Sequence, residues 1–409
     1  MFNLTGSNPH DVRSRNRSVI LELIAVQKQV SRAVISQKTG LTKTTVGNVV
    51  SDLILEKIIH ETEVDMNGIS MGRKPINLEI SPHSPCICGM LVKRGLISVV
   101  FADYGGVILV QKDYAFTHDM NAECLVEILL TLFHDLKSSW TRDIIAIGIA
   151  AIGPIDLIKN ELANPSNFYG ISNLPLPKII AGKTGLPTYL IHDGNAGALA
   201  EKVYGAGREC ENFIYIQIFE GIGAGYVLNN HIYNGVSGKS GEIGHTSINF
   251  TGPVCSCGNV GCLEVYANIA NINAKIKKMR AVYPTHSSLT NHVDSYNWLQ
   301  VLEAAQSSDF YAISALDEFC EYLSYALANT ITLFDIQHII IGYDAPSNET
   351  IITNILENKL NSYVQIASNR KVTVEKSVFG GNAPLIGTVA LITNKFFSGE
   401  LKFNQLYIP

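Results

Sequence analysis

Apolar residues recur every three or four positions in two segments of the first sixty residues. The first segment carries Val19, Ile20, Leu23, Ile24 and Val26, and the second carries Val46, Val49, Val50, Leu53 and Ile54. This spacing places the apolar side chains on one face of a helix. Between the segments, Ser31 and Thr42 are suitable N-caps, and Gly40-Leu41 suits a tight turn. The pattern predicts three short helices over residues 12–60, two of them forming a helix-turn-helix.

Two short segments after these helices have the composition of strands, namely IIHETEV (58–64) and PINLEI (75–80). They flank a polar loop that contains Arg73 and Lys74. A hairpin in this position predicts a winged helix-turn-helix domain over residues 1–80. The next residues, SPHSPC (81–86), contain two prolines and two serines and indicate a linker.

After residue 86 the chain alternates between apolar runs rich in isoleucine and valine and segments of helical character. The runs predicted as strands are CICGMLV (86–92), ISVVFADYGGVILV (97–110), IIAIGIAAIG (144–153), TYLIHD (188–193), FIYIQIF (213–219) and HIIIGYD (338–344). Helices are predicted over 121–137 and 384–397. Continuous apolar strands that alternate with helices are typical of α/β proteins with buried sheets.

Composition supports a globular protein of two or three domains. The chain has 409 residues, of which 46% are hydrophobic and 16% are charged. The N-terminal residues are polar and basic, and no run reaches the roughly 18 apolar residues that a membrane span needs. We therefore expect a cytoplasmic protein without membrane insertion, whose cysteines are thiols or metal ligands.

Charge is distributed unevenly along the chain, whose formal net charge is −5. Residues 1–80 carry ten Lys or Arg against eight Asp or Glu, whereas the remainder carries 21 against 28. Arg13, Arg15 and Arg17 cluster near the N-terminus. This distribution is compatible with a head that faces nucleic acid on an acidic body.

Three cysteines, Cys255, Cys257 and Cys262, lie within eight positions, and His245 stands ten residues upstream. A disulfide is one alternative, but the reducing cytoplasm opposes it and three cysteines leave one over. A thioredoxin-like redox pair would need two cysteines in C-x-x-C spacing, and this cluster does not have that spacing. Four protein ligands leave no open position for water, so we expect a structural zinc ion. The remaining cysteines are interpreted as filler: Cys86, Cys88, Cys124, Cys210 and Cys320.

Two carboxylates, Glu242 and Glu264, accompany His245 at this metal loop. One interpretation is structural, with Glu264 capping a helix and Glu242 solvated at the surface. The functional interpretation is that fixed acceptors beside a rigid loop suit a polyol, with His245 offering one nitrogen to zinc and the other to a hydroxyl. The residues alone leave both interpretations open.

The segment SGEIGHTSINFTGPVCSCGNVGCLEVYA (240–267) closely resembles the signature of the ROK family, which contains sugar kinases and sugar-responsive repressors. The resemblance rests on the E-x-G-H run, the spacing of the metal ligands and the following L-E pair. It extends through IGIAAIGPID, NPSNFYG, IHDGNAGALAEKVYGAG and GIGAGYVLNNHIYNGVSG, and covers residues 84–397. It implies an actin-like ATPase (ribonuclease-H-like) α/β fold with a small lobe of residues 87–195 and 384–397 and a large lobe of residues 196–383 that carries the zinc loop.

The sugar contacts that this resemblance implies are Asn167, Asp193, Glu242, His245 and Glu264. Asp193 stands where kinase members have their catalytic base, and His192 replaces the asparagine that is usual in kinases. The chain resembles the regulator branch, whose repressors respond to glucose, N-acetylglucosamine or xylose. The zinc loop is especially similar to that of xylose repressors, which tend to carry Glu at the position of Asp193.

The nucleotide side departs from the kinase pattern. Family kinases carry D-x-G-G-T on the first strand after the linker, whereas this chain has GMLVKRG (89–95). In FEGIGAG (219–225), Phe219 and Glu220 replace the preferred glycine and threonine, and a carboxylate there repels phosphate. IIIGYDAP (339–346) lacks the usual glycine run. We therefore expect no kinase activity, with Asp193 as a vestigial base position.

The head supplies candidate DNA contacts. In helix-turn-helix docking, the start of the second helix meets bases and phosphates in the major groove, while a basic wing enters the minor groove. The candidate residues are Arg32, Thr42, Lys43, Thr44, Thr45, Asn48, Arg73 and Lys74. A helical packing module with charged faces is the alternative. The wing sequence GRKP resembles the Gly-Arg-x-Pro run of ROK repressors and favours DNA binding.

The sequence thus predicts a sugar-responsive regulator of carbohydrate genes, acting as a repressor on operator DNA. Two-fold operators require a homodimer or a tetramer. The alternatives are a ROK-type sugar kinase and a sensor that is controlled by a sugar-transport protein. The effector is a sugar or sugar phosphate: a hexose, an N-acetylhexosamine or one of their 6-phosphates.

Overall fold

The computed structural model describes residues 9–27, 29–63, 76–116, 120–283, 287–289, 295–346, 349–363, 371–398 and 400–401. Arg73 and Lys74 of the predicted wing lie outside these residues. Among the described helices, none is long and apolar enough to cross a membrane.

The N-terminal head has the predicted winged helix-turn-helix arrangement. It consists of α1 (Pro9–Gln27), β1 (Val30–Ser31), α2 (Arg32–Thr39), α3 (Lys43–Leu55), β2 (Ile59–Glu63) and β3 (Ile76–Ile80). The hydroxyl of Thr42 caps α3 by accepting the N–H of Thr45 at 3.1 Å, and Ser31 caps α2. Gly40 adopts a φ of 70° in the turn, a backbone conformation that favours glycine. The antiparallel sheet has the order β1-β3-β2, and the two-residue β1 was not predicted.

The first sheet of the body has the strand order β10-β7-β4-β5-β6. Its strands are β4 (Cys86–Lys93), β5 (Leu96–Ala102), β6 (Ile108–Ala115), β7 (Ile144–Ala151) and β10 (Thr188–His192). Strands β4, β7 and β10 are parallel, whereas β4, β5 and β6 form antiparallel pairs. The single run predicted over 97–110 is two strands, because Asp103 Oδ1 accepts the N–H groups of Gly105 and Val107 and turns the chain. This layer also contains α4 (Ala122–Ser138), β8 (Ile155–Asp156), β9 (Glu161–Leu162) and α5 (Leu176–Thr184).

The second sheet has the order β13-β12-β11-β14-β15. Its strands are β11 (Phe213–Ile218), β12 (Ile222–Leu228), β13 (His231–Ile232), β14 (His338–Gly342) and β15 (Thr373–Lys376). The surrounding helices are α7 (Leu263–Tyr266), α8 (Ile269–Val282), α9 (Trp298–Gln306), α10 (Phe310–Phe334) and α11 (Ile351–Tyr363). The central strands β4, β7 and β11 are buried, as expected for an α/β protein, whereas the edge strand β6 is largely exposed.

Two helices, α6 (Asp193–Tyr204) and α12 (Ala383–Phe397), lie between the sheets. Helix α12 packs on β4 and β7 of the first sheet, while α6 packs on β11 and β12 of the second. Their own contact is close, since a Cβ atom at Gly387 would lie 1.9 Å from the carbonyl oxygen of Ala196. Small side chains therefore join the two halves of the body.

The head and the first sheet share one hydrophobic cluster. Ile20 and Ile24 of α1 are buried in the same cluster as Tyr104 and Phe396 of the body. The segment predicted as a linker is held in place, since Ser84 is fully buried and Ser81 donates its N–H to Ile58. Elsewhere along the junction, α1, α2, β10, α6 and α12 border a cleft of about 1130 Å³.

Candidate ligand pocket and metal centre

A cavity of about 60 Å³ lies where β4, β10, α6 and the turn between β11 and β12 meet the metal loop. Four of the five residues predicted to contact sugar line it: Asp193, Glu242, His245 and Glu264. They come from three separate segments of the chain. The cavity lining combines apolar side chains with several charged groups that can hydrogen-bond to hydroxyls.

The fifth predicted contact, Asn167, is not among the residues that line the cavity. Its side chain is exposed, and its Nδ2 atom donates to Ser256 Oγ at 3.2 Å. Asn167 therefore contacts the metal loop. Its backbone is in the left-handed region, with a φ of 53°.

His192 joins two of the cavity carboxylates. It ends β10, and its Nε2 atom lies 3.4 Å from both Asp193 Oδ1 and Glu242 Oε1. Burial acts to lower the pKa of His192, but Asp193 and Glu242 outweigh burial and raise it. Burial acts to raise the pKa of Glu242, and the hydrogen bond and charge of His192 lower it. The histidine is therefore suited to carry a positive charge that favours the ionised form of Glu242.

Two glycines allow the carboxylates to approach the backbone. A Cβ atom at Gly153 would lie 2.2 Å from Glu242 Oε1 and 2.4 Å from His192 Nε2. A Cβ atom at Gly221 would lie 2.5 Å from Glu264 Oε2. Any larger residue at either position would displace a carboxylate from the cavity wall.

The four predicted metal ligands converge. Each of the four residues offers one ligand atom, and these atoms all lie within 4.8 Å of one another: His245, Cys255, Cys257 and Cys262. His245 Nδ1 is 3.6 Å from Cys255 Sγ, and the sulfurs of Cys257 and Cys262 are 3.7 Å apart. Three sulfurs and one imidazole nitrogen at this spacing fit a tetrahedral zinc ion, whose Zn–S bonds are near ~2.3 Å. His245 also lines the ligand cavity, so the metal loop and the cavity share a residue.

The thiols of the cluster differ in acidity. Burial raises the pKa of Cys255, but hydrogen bonds from the Cys257 backbone and the His245 side chain lower it to about 7. Burial and the neighbouring Cys257 and Cys255 sulfurs raise the pKa of Cys262 to about 12. A dication would supply the charge that holds all three sulfurs as thiolates.

Lys93 and Arg94 also line the cavity, and the sequence analysis did not assign them a role there. Arg94 Nη2 donates to the carbonyl oxygen of Ser166 at 2.7 Å, and Lys93 Nζ donates to that of Gly381 at 3.1 Å. Both residues fall in GMLVKRG, which was interpreted only as a lost phosphate loop. The sequence signal was two adjacent cations at the end of an apolar strand.

The exposed start of α3 carries the predicted base-contacting residues. Thr42, Lys43, Thr44 and Asn48 are exposed, while Thr45 is half-buried and its hydroxyl lies 2.9 Å from that of Thr42. This surface has the geometry of a recognition helix.

Three head arginines form ion pairs within the head. Arg13 pairs with Asp52 of α3 at 2.7 Å, and Arg17 pairs with Glu56, which follows α3. Arg32, a predicted DNA contact, pairs with Glu61 of β2. The first two pairs join α1 to α3 and to the residue that follows it, and the third joins α2 to β2.

Comparison with known proteins gives four findings. A family model described as ROK family matches residues 96–395. The xylose repressor of Bacillus subtilis is 29% identical over 392 residues, which cover 94% of this chain and 96% of that protein. A solved ROK family transcriptional regulator, a homologue of the E. coli MLC protein, superposes with a TM-score of 0.77 at 26% identity and covers 96% of this chain and 98% of its own. A ROK family glucokinase from Streptomyces griseus, solved with glucose and AMPPNP, has a TM-score of 0.67 at 25% identity and covers 75% of this chain and 98% of its own.

Proposed function

The chain belongs to the ROK family, and from this premise we propose that it is a sugar-responsive transcriptional repressor of carbohydrate uptake or catabolism genes. One observation carries the proposal: the likeness to repressors includes the winged head, whereas the likeness to the glucokinase covers three quarters of the chain. A protein that pairs a DNA-binding head with a polyol pocket is suited to couple the two. Operator DNA and a monosaccharide or its phosphate are the proposed ligands.

We assign the effector to the cavity lined by Asp193, Glu242, His245 and Glu264. Carboxylate oxygens accept hydrogen bonds from hydroxyl groups, and the second ring nitrogen of a zinc-bound His245 would donate one to a hydroxyl oxygen. This arrangement selects a sugar by the stereochemistry of its hydroxyls. Asn167 contributes by holding Ser256 of the metal loop. A structural zinc ion bound by the histidine and three cysteines would fix that loop in place.

Operator contacts are assigned to Arg32, Thr42, Lys43, Thr44, Thr45 and Asn48 in the head, together with Arg73 and Lys74 of the wing. The exposed threonines and Asn48 at the start of α3 are placed to meet base edges, and Lys43 to meet phosphate. A two-fold operator calls for a homodimer or a dimer of dimers.

Helix α6 offers a route from the pocket to the head. It begins at Asp193 in the cavity and ends at Tyr204, about 18 Å away for twelve residues. The Tyr204 hydroxyl donates to the carbonyl oxygen of Tyr104 at 3.0 Å, and lies 2.8 Å from Thr393 Oγ1 on α12. The neighbouring Gly105 lies against Ala25 of α1. Movement of α6 on effector binding would therefore be transmitted to the contact between the body and α1 of the head.

The decisive experiment combines two measurements on the full chain. A thermal-shift screen of xylose, glucose, N-acetylglucosamine and the 6-phosphates of the latter two identifies the effector, since a ligand at 100 times its Kd adds about 2.7 kcal/mol of stability. Selection from genomic DNA fragments then isolates the operator, and titration with the effector should release it. A chain that selects no DNA, or whose DNA affinity is unchanged by every stabilising sugar, would refute the proposal.

A sugar kinase is the second candidate, because Asp193 is retained and the solved glucokinase shares the body fold. ADP release coupled to each sugar in the screen tests it. Turnover in the usual enzymatic range of ~1–1000 per second would favour the kinase.

A further inference from the structure

Lys93 connects the two sheets of the body. It ends β4 of the first sheet, and its side chain is only 6% exposed. Its ammonium donates to the carbonyl oxygen of Gly381 at 3.1 Å and lies 4.6 Å from the ring centroid of Phe219. Phe219 directly follows β11, and Gly381 lies in the turn between β15 and α12 that contacts β14, so both partners lie beside the second sheet.

Three carboxylates act on the charge of this lysine from a distance. Among the described residues, no carboxylate oxygen lies within 4.0 Å of Lys93 Nζ, which is the range of a salt bridge. The pKa of Lys93 is lowered, because burial lowers it more than the charges of Asp344, Asp193 and Asp113 raise it. Asp344 follows β14 and packs on Gly381, where an added Cβ would lie 2.0 Å from Asp344 Oδ1. The second sheet thus offers the ammonium a carbonyl, an aromatic face and a nearby carboxylate.

These contacts unite three separate departures from the family's kinase pattern. Lys93 lies in GMLVKRG (89–95), Phe219 in FEGIGAG (219–225) and Asp344 in IIIGYDAP (339–346). Kinases use the corresponding loops to hold the phosphates of a nucleotide, which then bridges the two lobes. Here the Lys93 ammonium lies over the ring of Phe219, and the Asp344 carboxylate lies beside Gly381, whose carbonyl oxygen accepts from that ammonium.

We propose that Lys93 is a built-in latch that holds the two halves of the body together in place of a bound nucleotide. The ammonium contacts the carbonyl oxygen of Gly381 and the ring of Phe219, and the carboxylate of Asp344 lies beside Gly381. The ammonium also lines the ligand cavity beside Asp193, so the latch fixes the distance between the walls of that cavity. The part of this proposal that concerns the effector rests on the proposed function, whereas the latch itself does not.

Hydrogen exchange of the full chain, followed by mass spectrometry, tests the latch without any ligand. Lys93→Met keeps the length of the side chain and removes its charge. We expect amide exchange in segments 219–225 and 380–386 to accelerate at least tenfold in this variant. Lys112→Met is the matched control, because Lys112 lies on β6 of the same sheet and its side chain is 46% exposed. Unchanged exchange in both segments of Lys93→Met would overturn the proposal.

Two further arms separate the possible outcomes. If Lys93→Met does not fold, Phe219→Leu removes the aromatic face and keeps the charge; accelerated exchange in segment 380–386 supports the latch, and unchanged exchange overturns it. For the effector, we expect its Kd to rise about tenfold in Lys93→Met and to stay unchanged in Lys112→Met. If no sugar stabilises the native chain, the proposed function fails while the exchange result still decides the latch.

Discussion

His192 Nε2 lies 3.4 Å from Glu242 Oε1 and joins the last residue of β10 to the segment that leads into the metal loop. The contact brings a buried imidazole and a carboxylate together beside the α-carbon of Gly153. It places the electrostatics of the pocket under the control of a histidine whose pKa is raised above its ordinary value by Asp193 and Glu242.

This contact predicts a pH dependence of stability. The pKa of His192 is raised above its ordinary value of 6.5, so its stabilising contribution is complete below pH 6.5 and is lost as pH rises through the folded-state pKa. The pKa of Glu242 is lowered below 4.5, so its contribution is complete above pH 4.5 and is lost as pH falls through the folded-state pKa. The pair therefore stabilises most between about pH 4.5 and 6.5.

Thermal unfolding of the native chain and of His192→Asn between pH 5 and 9 measures this effect. The variant carries the asparagine that is usual in family kinases and cannot titrate. We expect the difference in Tm between the two proteins to be largest at acidic pH and to shrink as pH rises. A difference that is constant across the range would contradict a charged His192.

Gly153→Ala should abolish effector binding. Its added methyl group would lie 2.2 Å from Glu242 Oε1 and 2.4 Å from His192 Nε2, so both side chains must move. Overpacking of this kind costs about 1–3 kcal/mol of stability. Gly182→Ala is the control, because no atom lies within 4 Å of an added Cβ in α5 and alanine favours a helix. The sugar-dependent thermal shift should vanish in the first variant and persist in the second.

Cys257→Ser should remove zinc and the sugar response together. The expected cause is that His245 serves both the cluster and the cavity, so loss of the metal frees a cavity residue. Elemental analysis should give one zinc per native chain and none per variant, and the thermal shift with effector should disappear. Cys124→Ser changes an isolated cysteine and should retain both properties. A zinc-free variant with a normal response would show that the metal does not support the pocket.

Lys43→Ala should weaken DNA binding at every sequence. Lys43 is exposed at the first position of α3, where a phosphate contact releases counterions. Fluorescence anisotropy over a salt series should show the slope of log K against log salt fall by about one. Lys183→Ala, on the body helix α5, should leave both affinity and slope unchanged. An equal loss in both variants would assign the effect to net charge alone.

Tyr204→Phe should uncouple the pocket from the head. The variant loses the hydroxyl that contacts the Tyr104 carbonyl and Thr393, which costs about 1 kcal/mol of stability. Effector and DNA should each still bind, but the effector should change DNA affinity less than in the native chain. An unchanged ratio of DNA affinities with and without effector would exclude this route.

Local signals in the sequence were sufficient for the head and for the metal cluster. The caps Ser31 and Thr42 and the glycine turn act through neighbouring residues, so their spacing is informative. The cysteines are close in sequence because one short loop supplies three ligands. Helix α1 is longer than expected, because its first turns carry polar residues that no apolar stripe marks.

The contacts across the pocket could not be read from the sequence in the same way. His192 was noted as a departure from kinases, but its approach to Glu242 depends on the packing of β10 against the metal loop. The latch partners of Lys93 are 126 and 288 residues away in the chain, and no periodicity links them. The hairpin within 97–110 was missed because Tyr104 is buried and continues the apolar run.

The buried cluster that joins Ile20 and Ile24 of the head to Tyr104 and Phe396 constrains how an operator can be released. Swinging the head alone would expose these side chains to water, at about 25 cal/mol for every Å² uncovered. A motion that carries the head and the first sheet together as one rigid body keeps this cluster buried and therefore has a lower free-energy cost. In a symmetric dimer, half-site separation on the operator would then follow the angle between the two body sheets.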